Sequence, residues 1–540
     1  MSGRKAARLP VSFESTATLF GFVLSVGACM GLQAETGVRA AGSEAREPGK
    51  STAAVRYEIG WATYLGGSAG EQAREIIRLP DGSLLIGGQT ASADFPVTKR
   101  AVQTKYGGEP AGTGHPGLVS GDCFVTHLSA DGRRLLASTY FGGSRQERNV
   151  YGMDVDSKGD IVITSLTRSS DLPVTQGAFQ ATNHGGPADM FAAKLSGDLA
   201  HLRWCTYVGG SNDETPRGGL ALDSQDNVYV VGTTTSPDFP TTPGTLQTKI
   251  VGGRSTAIVK LKPDGSLAWS TLLGGTKHAD KPHADIMGAR VDNAGTIHLA
   301  GHTNATDFPV TPDAPQKTLA GQTDLFLAGL SPDGKRLLYA TYWGGSKHEF
   351  AEHRPALLPD GSFVMDGFTD SDDFPTSIAA HQRQLRGPGD GCVVRLAPDH
   401  KTAVFSTYLG GSGTDNLLQP TLDAAGNVWV VGYTDSRDFS VTANALQKTY
   451  GGGAHDGVVA CLSPDGSRLL YATYLGGSGD DGIRGMTIGP AGEIYLVGET
   501  TSADFPVSRD AFQPKLGGGN DGFVVQLRPG KGSIPTTRGG

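Results

Sequence analysis

Residues 473–527 read TYLGGSGDDGIRGMTIGPAGEIYLVGETTSADFPVSRDAFQPKLGGGNDGFVVQL. The stretch holds three separable signatures: TYLGGS, then ADFPV with a glutamine nine residues after its aspartate, then DGFVVQL. Between and around them run short apolar segments rich in β-branched and aromatic residues, bounded by Gly, Pro, Asp and Ser. That is the pattern of short strands joined by tight turns.

The same unit fills most of the chain. TYLGGS or a close variant starts at Thr63, Thr139, Thr206, Thr271, Thr341, Thr407 and Thr473, at intervals of 76, 67, 65, 70, 66 and 66 residues. The DFP aspartates are Asp94, Asp171, Asp238, Asp307, Asp373, Asp438 and Asp504, followed by Gln103, Gln180, Gln247, Gln316, Gln382, Gln447 and Gln513. DCFVTHL, DMFAAKL, STAIVKL, DLFLAGL, DGCVVRL, DGVVACL and DGFVVQL complete the set. Each repeat offers four strands: one after GGS, such as RGMTIG from Arg484, a second such as NVWVVGYT from Asn427, the DGFVVQL type, and a fourth such as RLLYATY from Arg468. Four short strands per unit, seven units and no helical periodicity predict an all-β, seven-bladed β-propeller with four antiparallel strands per blade. The ends agree. The chain enters with a fourth-type strand, YEIGWATY at Tyr57–Tyr64, and its last repeat stops after a third-type strand at Leu527. The first strand is therefore expected to complete the last blade and close the ring.

Taken together, the TYLGGS, ADFPVT, AFQ and DGFVVQL signatures resemble the SBBP family of bacterial seven-bladed β-propeller repeat proteins, over about residues 57–527. The resemblance implies an exported propeller, often at the cell surface. It implies no shared activity and no catalytic residues. Kelch repeats are shorter, and the Trp-Asp endings of WD40 blades are missing.

Composition fits. Glycine is abundant, at 79 of 540 residues, charged residues make up 19%, and the net charge of −8 argues against a nucleic-acid partner. Arg4, Lys5 and Arg8 precede an apolar run from Thr16 to Leu32, which reads as an export signal. Val26-Gly27-Ala28-Cys29 resembles a bacterial lipobox, making Cys29 a lipidation candidate; cleavage after Ala34 or Ala40 is the competing outcome. The expected organisation is a signal peptide over 1–34, a flexible tether over 35–55, the propeller over 56–528 and a disordered tail over 529–540. A Gly- and Pro-rich flap is expected from Tyr106 to Asp122. Cys123, Cys205, Cys392 and Cys461 fall on separate strands and read as buried free thiols.

Repetition separates scaffold from site: what all copies share builds the blade, and what one or two copies hold alone can carry function. The Asp-Phe-Pro…Gln element and the diglycines are therefore scaffold. The departures are KHADKPHAD, from Lys277, and KHEFAEHR, from Lys347, which place four of the 13 histidines at matched offsets from GGS/T in two neighbouring repeats. From Thr276 to the next turn glycine, Gly295, repeat 4 is extended relative to the others. Both segments lead into a first strand, so they are expected at the mouth of the central channel on the long-loop face. The candidate binding residues are His278, Asp280, His283, Asp285, His348, Glu349, Glu352 and His353. No metal set is assigned, because the HExxH spacing is missing and Lys277 and Lys347 oppose a cation. No cofactor or catalytic residue is assigned either. The expectation is a monomeric binding or structural module at the cell envelope or outside the cell. Its ligand would be a protein or carbohydrate, and any membrane contact would run through a lipid at Cys29. The alternative is a lyase or hydrolase using a His/carboxylate site of blades 4 and 5.

Overall fold

A computed structural model describes residues 55–108, 121–278 and 281–530. The export signal with Cys29, the tether up to residue 54, most of the flap, Asp280 and the tail from 531 lie outside the described residues. No described helix is long and apolar enough to cross a membrane.

The described strands form seven antiparallel sheets. Six follow the repeat directly; blade 4, for example, is built of Ala284–Val291, Ile297–Thr303, Asp324–Leu330 and Leu337–Trp343 in spatial order. The seventh joins Asp481–Ile488, Ile494–Thr500 and Asp521–Pro529 to Tyr57–Leu65, which pairs antiparallel with Asp521–Pro529. The N-terminal strand therefore supplies the outer edge of the last blade. The last strand runs to Pro529, one residue past the expected boundary.

The core lies between neighbouring sheets. Phe95, Phe124 and Ile86 of blade 1 pack with Tyr495, Val497 and Val524 of blade 7 in one cluster. Equivalent clusters fill the gaps between blades 1 and 2 and between blades 4 and 5. All four cysteines on strands are buried and free.

The shared residues build a polar lattice around each diglycine turn. In all seven repeats the DFP aspartate accepts the backbone N–H of the Ser or Thr after the diglycine, as in Asp94 with Ser68 at 2.9 Å and Asp373 with Ser346 at 2.7 Å. In six repeats the glutamine Oε1 accepts the first glycine N–H, as in Gln180 with Gly209 at 2.7 Å. The TYLGGS tyrosine hydroxyls donate to carbonyls of the DFP loop, as in Tyr408 to Ser371 at 2.7 Å.

One lattice member was not picked out in the sequence. A buried acid opens the inner strand in five blades, as Glu71, Glu214, Glu349, Asp415 and Asp481, and in blade 2 Glu147 holds the same place in an isolated bridge to Thr167, ahead of the strand Gly152–Val155. Each accepts the second glycine N–H and the hydroxyl of a threonine ending the second strand, as in Glu147 with Gly143 at 3.0 Å and Thr167 at 2.6 Å. Glu349, expected as a binding residue, belongs to this set and is fully buried. Blade 4 alone breaks the rule, with Ala284 in the acid's place.

Burial pushes these carboxyls up: Glu71 and Glu349 to about 7, Glu147 to about 8, and Asp122 and Asp189 at the start of third strands to about 7. A carboxyl raised on folding stabilises fully below its unfolded pKa, and that contribution is lost as pH rises through the folded value. The melting temperature is therefore expected to fall as pH goes from about 5 to about 8.5, as differential scanning calorimetry would show. A midpoint that rises across that window contradicts the lattice electrostatics. Separately, Tyr408→Phe leaves the buried Ser371 carbonyl and Phe374 N–H without their hydroxyl partner, with an expected loss of about 1–3 kcal/mol in urea unfolding.

Candidate functional site

The inner-strand residue after the lattice acid faces, across the ladder, the second-strand residue before the threonine. Here the repeats diverge. The pairs are Gln72 with Gln89, Thr215 with Thr233, Asp285 with His302, Phe350 with Phe368, Asn416 with Tyr433, and Gly482 with Glu499. In blade 2 the corresponding residues are Arg148 and Leu166, joined through backbone at 3.2 Å. These pairs sit one step from near-constant acid–threonine pairs, across the two innermost strands of each sheet and toward the long-loop face. They line the rim of the central channel with chemistry that differs blade by blade.

Blade 4 carries the densest polar group. Asp285 and His302 are a direct cross-strand pair, with Asp285 Oδ2 3.7 Å from His302 Nε2. His283, just ahead of the strand, sets its ring edge-on to His302 at 6.1 Å. One donor atom from each of His283, Asp285 and His302 falls within 4.8 Å of the others. Arg254, from blade 3, reaches Asp285 through Nη1 at 2.9 and 3.1 Å. Phe350 of blade 5 backs His302 at 5.1 Å. Burial drives His302 down to about 4 even though Asp285 pulls it up, with Arg217 and Arg254 adding to the lowering; burial also lowers His283. Both imidazoles are neutral near pH 7.

The backbone explains why these residues meet. His283 N donates to Asn304 Oδ1 at 2.7 Å, and Thr303 Oγ1, with no lattice acid to serve, donates to the His283 carbonyl at 2.6 Å. The same first contact recurs as His348 N to Asp370 Oδ1, Thr414 N to Asp435 Oδ1 and Asp213 N to Thr235 Oγ1. This corrects the sequence register. Counting from GGS/T equates His278 with His348 and His283 with His353. The structure equates His283 with His348, each forming a parallel bridge to the preceding blade's third-strand lead, at Arg254 and Thr323. Eight residues separate Thr276 from Ala284, against three from Ser346 to Glu349. The blade 4 insertion lies wholly before the strand and shifts the offset.

The expected set therefore splits. His283 and Asp285 join His302, which the sequence analysis missed. Its signal was available: a position reading Gln, Leu, Thr, His, Phe, Tyr and Glu across seven otherwise regular repeats. His278 lies beside the cluster, its Nδ1 3.3 Å from Asn304 Nδ2. His348 sits at the neighbouring rim position, paired with Asp370 at 3.2 Å. Glu352 and His353 lie deeper, in a break of the blade 5 inner strand between Glu349–Ala351 and Ala356–Leu357.

There the channel wall is rich in arginine. Arg354 contacts the buried Glu75, on which Arg74 and Arg290 also act. Arg74 lies over the Tyr151 ring at 5.1 Å, and Arg484 over Tyr433 at 5.1 Å while gripping Glu499 at 2.7 Å. Burial and these surrounding arginines hold His353 neutral, far below the usual imidazole range. Toward the tight-turn face the channel opens into a cavity of about 440 Å³ that includes Asp154, Arg290, Arg354 and Gln419. A larger groove of about 620 Å³ runs along His381–Arg386, but there the Gln382 amide is committed to Gly410 and Asp390.

Two stretches, 203–240 and 470–506, match the SBBP model, described as a beta-propeller repeat. The chain is thus a seven-bladed β-propeller carrying SBBP repeats. No curated protein matches it. Among solved structures, a "new family of Polysaccharide lyase PL25-Ulvanlyase" aligns at 10% identity and TM-score 0.45, covering 89% of this chain and 100% of that one. A europium-containing methanol dehydrogenase aligns at 12% and 0.39, covering 87% and 93%, and the Hadza microbial sialidase Hz136 at 10% and 0.37, covering 76% and 73%. Likenesses this distant say nothing of the chemistry of this chain.

Glu75→Gln removes the carboxyl that Arg354 contacts and on which Arg74 and Arg290 act; burial raises this carboxyl above its usual range, and the three arginines oppose that by favouring its charged form. The substitution is expected to cost about 3–5 kcal/mol in chemical unfolding, because it strands buried positive charge. A loss under about 1 kcal/mol would mean that the arginines do not depend on Glu75.

Proposed function

We propose that this chain is an exported binding module of the bacterial envelope that holds a carbohydrate or protein ligand at the long-loop mouth of its channel. One observation carries the proposal. Seven repeats agree closely at the lattice and diverge at the adjoining rim pairs, where scaffold demands nothing of the side chain. Repeat architectures bind through such shared concave surfaces. The rim supplies what recognition of a polar chain needs: half-buried ring faces in Phe350, Phe368 and Tyr433, and fixed charges in Arg484 and Glu499. Aromatic and arginine side chains concentrate binding energy in such settings. The N-terminal Arg4–Leu32 sequence supports export, and Cys29 supports a lipid anchor.

A lyase or hydrolase is the second reading, favoured by the neutral imidazoles of His283 and His302 beside Asp285. The two readings separate in one experiment. Wild type and a Phe350→Ala/Tyr433→Ala variant are titrated against a panel of acidic and neutral envelope polysaccharides and peptidoglycan fragments. Binding without turnover, weakened at least tenfold in a variant that still folds, is expected; tenfold is about 1.4 kcal/mol. Equal binding by the variant would move the ligand away from the rim. Turnover lost on His283→Ala would replace binding with catalysis.

A further inference from the structure

We propose that His283, Asp285 and His302 form a binding site for a divalent first-row transition ion, zinc by ligand type, at the junction of blades 3 and 4. The inference deepens the rim-binding reading and rests on it only for its role in ligand capture. Two imidazoles and one carboxylate are a ligand set that zinc accepts while keeping a position open to a ligand.

Geometry carries the proposal. The three donor atoms already lie within 4.8 Å of one another. Two of the residues are held by the strand ladder, since Asp285 faces His302 directly. The third is held by its backbone, between Asn304 and Thr303. The His302 ring is fixed by Phe350 yet underused. The residue is 6% exposed, its Nδ1 has no hydrogen-bond partner, and its Nε2 stops 3.7 Å from Asp285. A buried imidazole left this way costs free energy unless something else takes up a nitrogen. A metal ion would take up one of its nitrogens, with the side chains closing to ligand distance.

Blade 4 also differs from the other six in two ways that serve this site. It lacks the lattice acid, so Thr303 turns to the His283 carbonyl. Its lead-in loop is five residues longer than that of blade 5, which brings a second histidine, His278, to Asn304. Lys277 and Lys281 are on this loop, but neither forms an ion pair with Asp285. The cation that does is Arg254, whose side chain is 50% exposed. It pairs with Asp285 when no ion is present and would compete with an ion for that carboxylate.

The test uses the full chain, stripped with chelator and titrated with Zn²⁺ alone by calorimetry, with stoichiometry checked by elemental analysis. One ion per chain is expected. His283→Ala and Asp285→Asn should each weaken binding at least tenfold. Arg254→Ala should tighten it at least tenfold, because it removes the competing cation; a purely structural role for Arg254 would not do this. His302→Ala is read alongside its melting curve, and His283→Ala, at the rim, decides the matter should His302→Ala unfold. Uptake that is not saturable, or that His283→Ala leaves unchanged, overturns the site. A stripped protein that takes no zinc yet captures polysaccharide or peptide overturns this inference alone. A protein that takes one zinc but captures no ligand overturns the rim-binding reading alone.

Discussion

The ring depends on the backbone crossing from the outer strand of one blade to the inner strand of the next. At that crossing two glycines lie against carboxylates. A Cβ on Gly66 would stand 2.5 Å from Glu71 Oε2 and 2.6 Å from the Asp521 carboxyl carbon; one on Gly67 would stand 2.5 Å from Ser92 Cβ. Only glycine lets the turn's N–H groups approach the acids that hold it. The acids are in turn out of water, and the N–H and hydroxyl donors replace the solvation they lose. Glycine, buried acid, threonine, glutamine and the DFP aspartate are therefore one device, repeated wherever a blade meets its neighbour.

That device sets where variation is tolerated. Its members occupy alternate positions along the inner and second strands, and a strand sends successive side chains to opposite faces. The rim residues lie on the other face, at the same height, and no lattice bond reaches them. Blade 4 shows what happens when the device is relaxed. Without its acid the turn is held by Asp307 through Thr276 and Lys277, the loop lengthens, and a histidine enters the place where blade 1 has Gly70 and blade 6 has Thr414. Loss of one scaffold carboxyl and gain of a polar cluster occur at the same point in the ring.

At the rim and below it the channel is lined with charge held by charge. Glu75 with its arginines, and Arg484 between Glu499 and Tyr433, form a network with little water access. Such networks add little net stability but cost much when one member is removed.

Much of this was legible in the chain itself. The seven TYLGGS–DFP–Gln–DGFVVQL units set the strand count, the blade count and the identity of every scaffold residue but the buried acid, because each signature is local and repeated. The pairing of Tyr57–Leu65 with the last blade followed from the two incomplete end repeats. His283 and Asp285 could be singled out as departures. The rest was decided in three dimensions. Glu349 looked like part of a charged segment, but its strand position buries it in the lattice. His353 looked equivalent to His283, but the insertion before Ala284 shifts one against the other. His302 and Arg254, 17 and 31 residues away along the chain, reach Asp285 only because strand pairing and blade stacking bring them there. Sequence fixes what recurs at constant spacing. Which variable side chains converge depends on ladder register and on the packing of one blade against the next, and neither is a local property of the chain.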